Sequence, residues 1–184
     1  MILLIIFSLY LLIDINRNEN NFSDIEINAE KISQNKTLET SNTNEKEHPI
    51  LTEYKGYSAI AKLEIPAINL ETYVLSEYSE EALQVSVTKF YGGNPNEPGN
   101  FCISGHNYVL KNMFHDLKNL NLNEEIYLTD AVYGKVRYII YDIFSVYPKQ
   151  VEVLDQKTNG ETEITLITCT RDSKKRVIIK ARKE

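Results

Sequence analysis

The residues best suited to covalent chemistry in this chain stand where apolar runs end. Cys169 closes the run "EITLITC", and five basic side chains follow between Arg171 and Lys180. The two-residue period of a strand puts Thr165, Ile167 and Cys169 on one face and Ile164, Leu166 and Thr168 on the other. A structural cysteine sits more naturally inside an apolar run. At its edge, next to positive charge, the thiolate is favoured over the thiol, which makes Cys169 a candidate nucleophile. The stretch "NFCISGHNY" repeats the arrangement. Cys102, Ser104 and His106 share a face, Phe101, Ile103 and Gly105 the other, and the glycine before His106 is expected to let the backbone turn. Taken singly, either residue is more readily an inert edge side chain. His115, in "MFHDL", is expected on a helix beside Phe114 and Leu117 and is a weaker candidate. His48, in a polar stretch, is weaker still.

Composition narrows the function classes. With 184 residues, 42% of them hydrophobic, the chain can bury one core and carry appendages. A net charge of -6 argues against a general nucleic-acid binder, which needs a basic face. The charge is uneven: from Arg171 onward seven basic residues face Asp172 and Glu184, a local excess of +5. That excess suits a solvated strand face or a site for a carboxylate or developing oxyanion. Cys102 and Cys169 are too few for a disulfide scaffold or a four-cysteine zinc site, although they could bridge two neighbouring strands. Three histidines without HExxH or CxxC spacing give no metal site, and no cofactor is expected.

These groups need elements to hold them. Residues 1–15, "MILLIIFSLYLLIDI", are almost wholly apolar, but as a helix they would reach only about 22 Å against roughly 30 Å of hydrocarbon. No basic leader or small-residue cleavage site is visible. The expectation is an uncleaved N-terminal membrane anchor whose basic start lies upstream of Met1. Residues 16–55 are rich in Asn, Glu, Lys, Ser and Thr and read as a flexible tether with a coil reach of about 35 Å. From Gly56 to Glu184 the texture is that of strands: "YSAIAKLEIP", "LETYVL", "NFCISG", "EIYLTD" and "KVRYIIYDIFSVYP", divided by turn clusters such as "GGNPNEPGN". Only residues 79–87 and 112–120 look helical. Many strands and few helices imply an all-β sandwich or barrel.

"TLITC", then Arg176 seven residues on at the head of "RVIIKA", with "SGHN" some sixty residues upstream and "MFHDLKNL" behind it, resembles the sortases, the membrane-anchored cysteine transpeptidases of Gram-positive bacteria. The resemblance runs from Gly56 to the C-terminus and includes "LEIPAINLETYVL". It implies an eight-stranded sortase-type β-barrel with one or two short helices. It implies Cys169 as nucleophile, His106 as proton carrier and Arg176 as the cationic stabiliser, with Arg171 the rival. The chemistry fits the types: a thioester route needs a soft nucleophile, an acid for the departing amine and a donor for the oxyanion. Arginine supplies fixed donors and a charge that does not titrate.

The resemblance further implies a groove for a sorting-signal peptide of the LPxTG kind, cut between Thr and Gly and passed to a peptidoglycan-precursor amine. Thr165, Ile167, Ser104 and Cys102 match groove positions, and Thr168 would steady the oxyanion region. The catalytic domain would lie outside the cell membrane. No Asp-Pro-aromatic lid motif stands in residues 16–55, and the loop "GGNPNEPGN" offers only Glu97 as an acid, so calcium dependence is not expected. The cysteine-to-arginine spacing suits a class D or related member. Two rivals stay open: a cysteine protease or hydrolase of similar fold, and a non-catalytic secreted β-barrel that binds a wall polymer through its basic tail.

Overall fold

The computed structural model describes residues 48–108 and 113–184. The expected anchor at 1–15, and the tether as far as residue 47, lie outside the described residues. Nine strands follow in order: β1 (Thr52–Tyr54), β2 (Tyr57–Ile65), β3 (Leu70–Leu75), β4 (Val87–Tyr91), β5 (Gly99–Ser104), β6 (Glu125–Asp130), β7 (Gly134–Val146), β8 (Thr162–Cys169) and β9 (Arg176–Lys183). One α-helix, α1 (Glu80–Val85), lies between β3 and β4. Short 3-10 turns occupy Pro66–Ile68, His115–Asn119 and Glu152–Leu154.

The strands pair in the order β1-β2-β3-β4-β5-β8-β9-β7-β6, and β6 returns to β2. That last pairing, with Leu63 opposite Leu128, closes β2 to β9 into an eight-stranded barrel and leaves β1 as a short flap on β2. Alternation explains the interior. Phe101 and Ile103 of β5, Ile164 and Leu166 of β8 and Ile179 of β9 all point into one buried cluster. Their opposite-face neighbours Cys102, Ile167 and Ile178 point outward, into a second cluster with Val146 and Leu154. The β7–β8 connection therefore lies over the outer face of β5 and β8.

Three local differences from the sequence reading have clear causes. β1 falls inside the stretch read as tether. Lys55 and Gly56 both have positive φ, 51° and 86°, the geometry of a two-residue hairpin turn, so Tyr54 pairs directly with Tyr57. The helix read at 79–87 stops at Val85, because Val87 pairs in parallel with Val74 and starts a strand. The helix read at 112–120 is a five-residue 3-10 turn, His115–Asn119, whose approach is pinned by the Phe114 N–H donating to the His106 carbonyl at 3.1 Å.

Candidate active site

Register brings the three expected reactive residues side by side. β5 runs parallel to β8, with Cys102 opposite Thr165 and Ser104 opposite Ile167. The Gly105 N–H continues the ladder by donating to the Ile167 carbonyl at 3.1 Å. Two residues past Ser104, His106 is thus level with Cys169, two past Ile167. On the other side Cys169 pairs with Arg176, the first residue of β9. Arg176 stands on β9 directly beside Cys169, at the strand spacing of about 5 Å, and His106 lies just past the end of β5, the strand on the other side. All three are buried. Arg171, the rival, is exposed in the turn beyond β8.

The local sequence accounts for the placement. Thr168, on the face opposite Cys169, donates its hydroxyl to the Gly105 carbonyl at 2.7 Å and ties the two strand ends together. Gly105 is not a turning residue, contrary to expectation. Its φ is not positive, and a glycine is required for space: a Cβ there would meet Val87 Cγ1 at 2.7 Å and Phe114 Cδ2 at 2.8 Å. The roof comes from α1. Ser79 caps the helix by accepting from the Ala82 N–H at 3.0 Å, which sets Leu83 against Cys169, with Tyr78 alongside. Gln84 donates to the Tyr108 hydroxyl at 3.2 Å, and the Tyr108 ring stacks on His106 at 4.4 Å between centroids.

Three residues at this site were given no role from sequence: Asn107, Tyr108 and Gln84. Asn107 donates its amide to the Cys169 carbonyl at 2.7 Å, and its carbonyl lies 2.6 Å from His115 Nδ1. Asn107 and Tyr108 belong to the same "SGHNY" run as His106, so adjacency was the available signal. Gln84 had none, because its contact depends on how α1 docks.

The four expected groove residues and Thr168 are packed, not open. Cys102 and Thr165 lie under the β7–β8 connection. Thr165 donates to Asn100 Oδ1 at 2.7 Å, while Asn100 donates to the carbonyls of Val153 at 3.0 Å and Asp155 at 3.2 Å. Ile167 packs against the Leu154 cluster, Ser104 bonds Thr88 at 3.0 Å, and Thr168 is turned to Gly105. All five are at most 1% exposed. Thr165, Ile167, Cys102 and Ser104 form a floor beneath covering segments, because the alternation that puts them on the Cys169 face also puts them on the face of the apolar outer cluster.

The two thiols differ in kind. Neither is in a disulfide, and a bridge between them, possible on sequence alone, does not form. Cys102 is level with Thr165, four residues short of Cys169, so the separation is about 13 Å, beyond disulfide reach. Burial pushes the Cys102 thiol up to about 12, against small opposing effects of the Lys180 charge and the Thr165 hydrogen bond. Cys169 is equally buried, and what sets it apart is its place beside Arg176, which leaves it as the candidate nucleophile.

Most of the tail's positive charge is engaged along the strands. Arg182 binds Glu163 at 2.9 Å and lies over the Tyr141 ring, Lys180 is 3.9 Å from Glu163, and Lys175 lies over Tyr147. This is the solvated strand face, and Arg176 is its one buried member. Among the described residues no His, Cys, Asp or Glu cluster could hold a metal, and no helix is long and apolar enough to cross a membrane.

Comparison with known proteins agrees with this geometry. Residues 63–184 match the family model described as Sortase domain. The chain is 28% identical over 169 residues to sortase A of Bacillus anthracis, covering 90% of this chain and 73% of that protein. It is similar in structure to the sortase D5 transpeptidase of Clostridium perfringens, at a TM-score of 0.63 and 25% identity, over 92% of this chain and 99% of the other. A sortase C1 from a group B Streptococcus pilus island superposes at a TM-score of 0.66 and 22% identity, over 94% and 89%, a likeness of fold.

Proposed function

The chain belongs to the sortase family, enzymes that act as transpeptidases in anchoring surface proteins, and on that premise we propose that it cleaves an LPxTG-like sorting signal and transfers the acyl part to a cell-wall amine. The observation that carries the reading is the register that pairs Arg176 with Cys169 and brings the end of β5, just before His106, beside the end of β8. Cys169 as thiolate attacks the scissile Thr carbonyl, forming a C–S bond and a tetrahedral oxyanion. The Arg176 guanidinium lies beside that oxygen and offsets its charge. The oxyanion collapses, the C–N bond to Gly breaks, and the His106 imidazolium gives its proton to the departing amine. An incoming amine then attacks the thioester, loses a proton to the imidazole and releases Cys169 as thiolate. The N-terminal apolar segment would hold this site at the outer face of the cell membrane.

An LPxTG-type peptide incubated with and without an amine acceptor tests the reading. The account predicts a ligated product that depends on the acceptor and on Cys169. Free acid as the sole product, whatever the acceptor, would make the enzyme a hydrolase. Absence of cleavage across a peptide library would remove the substrate class.

A further inference from the structure

We propose that Asn107, His115 and Lys118 form a directional hydrogen-bond chain that fixes the backbone carbonyl of Cys169, making Asn107 and His115 positioning residues of the reaction. The proposal rests on the transpeptidase reading above for its kinetic consequences, but its structural content does not. Three contacts define it: Lys118 Nζ to His115 Nε2 at 3.2 Å, His115 Nδ1 to Asn107 Oδ1 at 2.6 Å, and Asn107 Nδ2 to the Cys169 carbonyl at 2.7 Å.

The chemistry of the two ends leaves one assignment for the middle. A backbone carbonyl only accepts, so the Asn107 NH2 faces Cys169 and its Oδ1 faces His115. A lysine ammonium only donates, so His115 Nε2 accepts from it. The imidazole proton therefore sits on Nδ1, where Asn107 Oδ1 awaits a donor. Every link is satisfied with the same polarity, from the Lys118 cation to the carbonyl of the nucleophile. Hydrogen bonds aligned in this way reinforce one another. The chain crosses 62 residues of sequence at its last link. It starts on the 3-10 turn His115–Asn119, which the Phe114 N–H anchors to the His106 carbonyl.

The consequence lies at the end of β8. Cys169 is its last residue, and beyond it the strand gives way to a turn of Thr170 to Lys175. The carbonyl that Asn107 holds belongs to the peptide group leading into that turn. Fixing it sets the direction in which the Cys169 side chain leaves the backbone. Small errors in that direction matter, since displacement of a reacting group by about 1 Å can cost on the order of 100-fold in rate. The arrangement also explains why His115 is half-buried against the domain and not turned to solvent as a weak surface candidate would be.

Two readouts on the full chain test the proposal. The first is amide hydrogen exchange of the segment 168–172, which needs no substrate. Asn107→Ala should speed exchange about 10-fold and His115→Ala about 3-fold, the smaller because Asn107 keeps its own bond to Cys169. His115→Asn, whose amide nitrogen can occupy the place of Nδ1, should restore protection to within about 2-fold of wild type. The second is turnover of an LPxTG-type peptide. Asn107→Ala should lower kcat about 10- to 100-fold with KM within about 2-fold, since orientation and not peptide binding is lost. His115→Ala should lower kcat by about 3- to 10-fold, and adding it to Asn107→Ala should cost no more than about 2-fold further, because the two act in one chain.

Unchanged exchange and unchanged kcat in His115→Ala, or His115→Asn behaving as His115→Ala does, would overturn the proposal. Multiplicative losses in the double variant would do so too. If Asn107→Ala does not fold, the two His115 variants decide between these outcomes by themselves. If the wild type turns over no such peptide, the substrate reading falls, while the exchange measurement still decides whether the chain exists.

Discussion

At the scale of residues, the two cysteines are separated by their surroundings and not by their chemistry. Burial pushes the Cys102 thiol up to about 12, whereas Cys169 pairs with the cationic Arg176, so in the native protein iodoacetamide near pH 8 should modify Cys169 in preference to Cys102. Peptide mapping reads this directly, and equal labelling would contradict it. The sign of the stability effect follows from the same shift. The native state keeps a proton that the unfolded chain releases above its ordinary thiol value of 9.0, so this contribution is full below about pH 9 and is lost as pH rises towards 12. Cys102→Ala should therefore soften the alkaline fall in stability, measured as denaturant midpoints at about pH 8 and pH 10. Arg176 and Arg171 can be told apart in the same way. Arg176 is buried beside Cys169 and Arg171 is exposed, so Arg176→Ala should cost about 100- to 1000-fold in kcat, whereas Arg171→Ala should leave it within about 2-fold. The reverse result would move the oxyanion role to the turn.

At the scale of elements, the junction of β5 and β8 holds the site together. Thr168→Val leaves the carbonyl of buried Gly105 without its hydroxyl donor and should cost about 1–3 kcal/mol. Gly105→Ala should cost a similar 1–3 kcal/mol through overpacking, and should also displace His106, so kcat falls further than Tm alone would explain. Thermal melts and turnover of the two variants check both; a Gly105→Ala enzyme with full activity would show that the crowding is relieved elsewhere. The elements that were legible in the sequence are those whose own pattern fixes them. β5, β8 and β9 carry alternation and apolar content strong enough to name both the strands and the residues at their ends. The elements that were missed depend on partners. Val87, the first residue of β4, is read as the end of the helix because "EEALQVSV" keeps a helical apolar spacing across Ser86, and only pairing with Val74 of β3 places Val87 in a sheet, facing the barrel interior. β1 depends on the Lys55–Gly56 turn, and His115–Asn119 depends on its anchorage to His106.

At the scale of the whole molecule, the barrel separates stability from chemistry by placing them at opposite ends of β8. Cys169 ends the strand, and Glu163 lies near its start, six residues or about 20 Å away. Glu163 gathers Arg182 at 2.9 Å, the Tyr141 hydroxyl at 2.9 Å and Lys180 at 3.9 Å. Glu163→Ala should lower stability by about 1–3 kcal/mol and leave kcat per folded molecule unchanged. The closed ring was expected from the family resemblance, since the strand pattern alone allowed a sandwich or a barrel, and the adjacency of Cys169 and Arg176 follows from the antiparallel register of β8 and β9. The cover over the expected groove residues was not foreseeable in the same way. Thr165, Ile167, Ser104 and Cys102 share the Cys169 face, but alternation says nothing of the β7–β8 connection that covers it, and that cover depends on Asn100 reaching the carbonyls of Val153 and Asp155. The most direct test of the central claim is mass spectrometry of the acyl-enzyme formed when the enzyme meets an LPxTG-type peptide without an amine acceptor. The account predicts an adduct on Cys169 that hydroxylamine releases, that fails to form in Cys169→Ala and that still forms in Cys102→Ala. Peptide cleavage that persists in Cys169→Ala, or an adduct carried by Cys102, would contradict it.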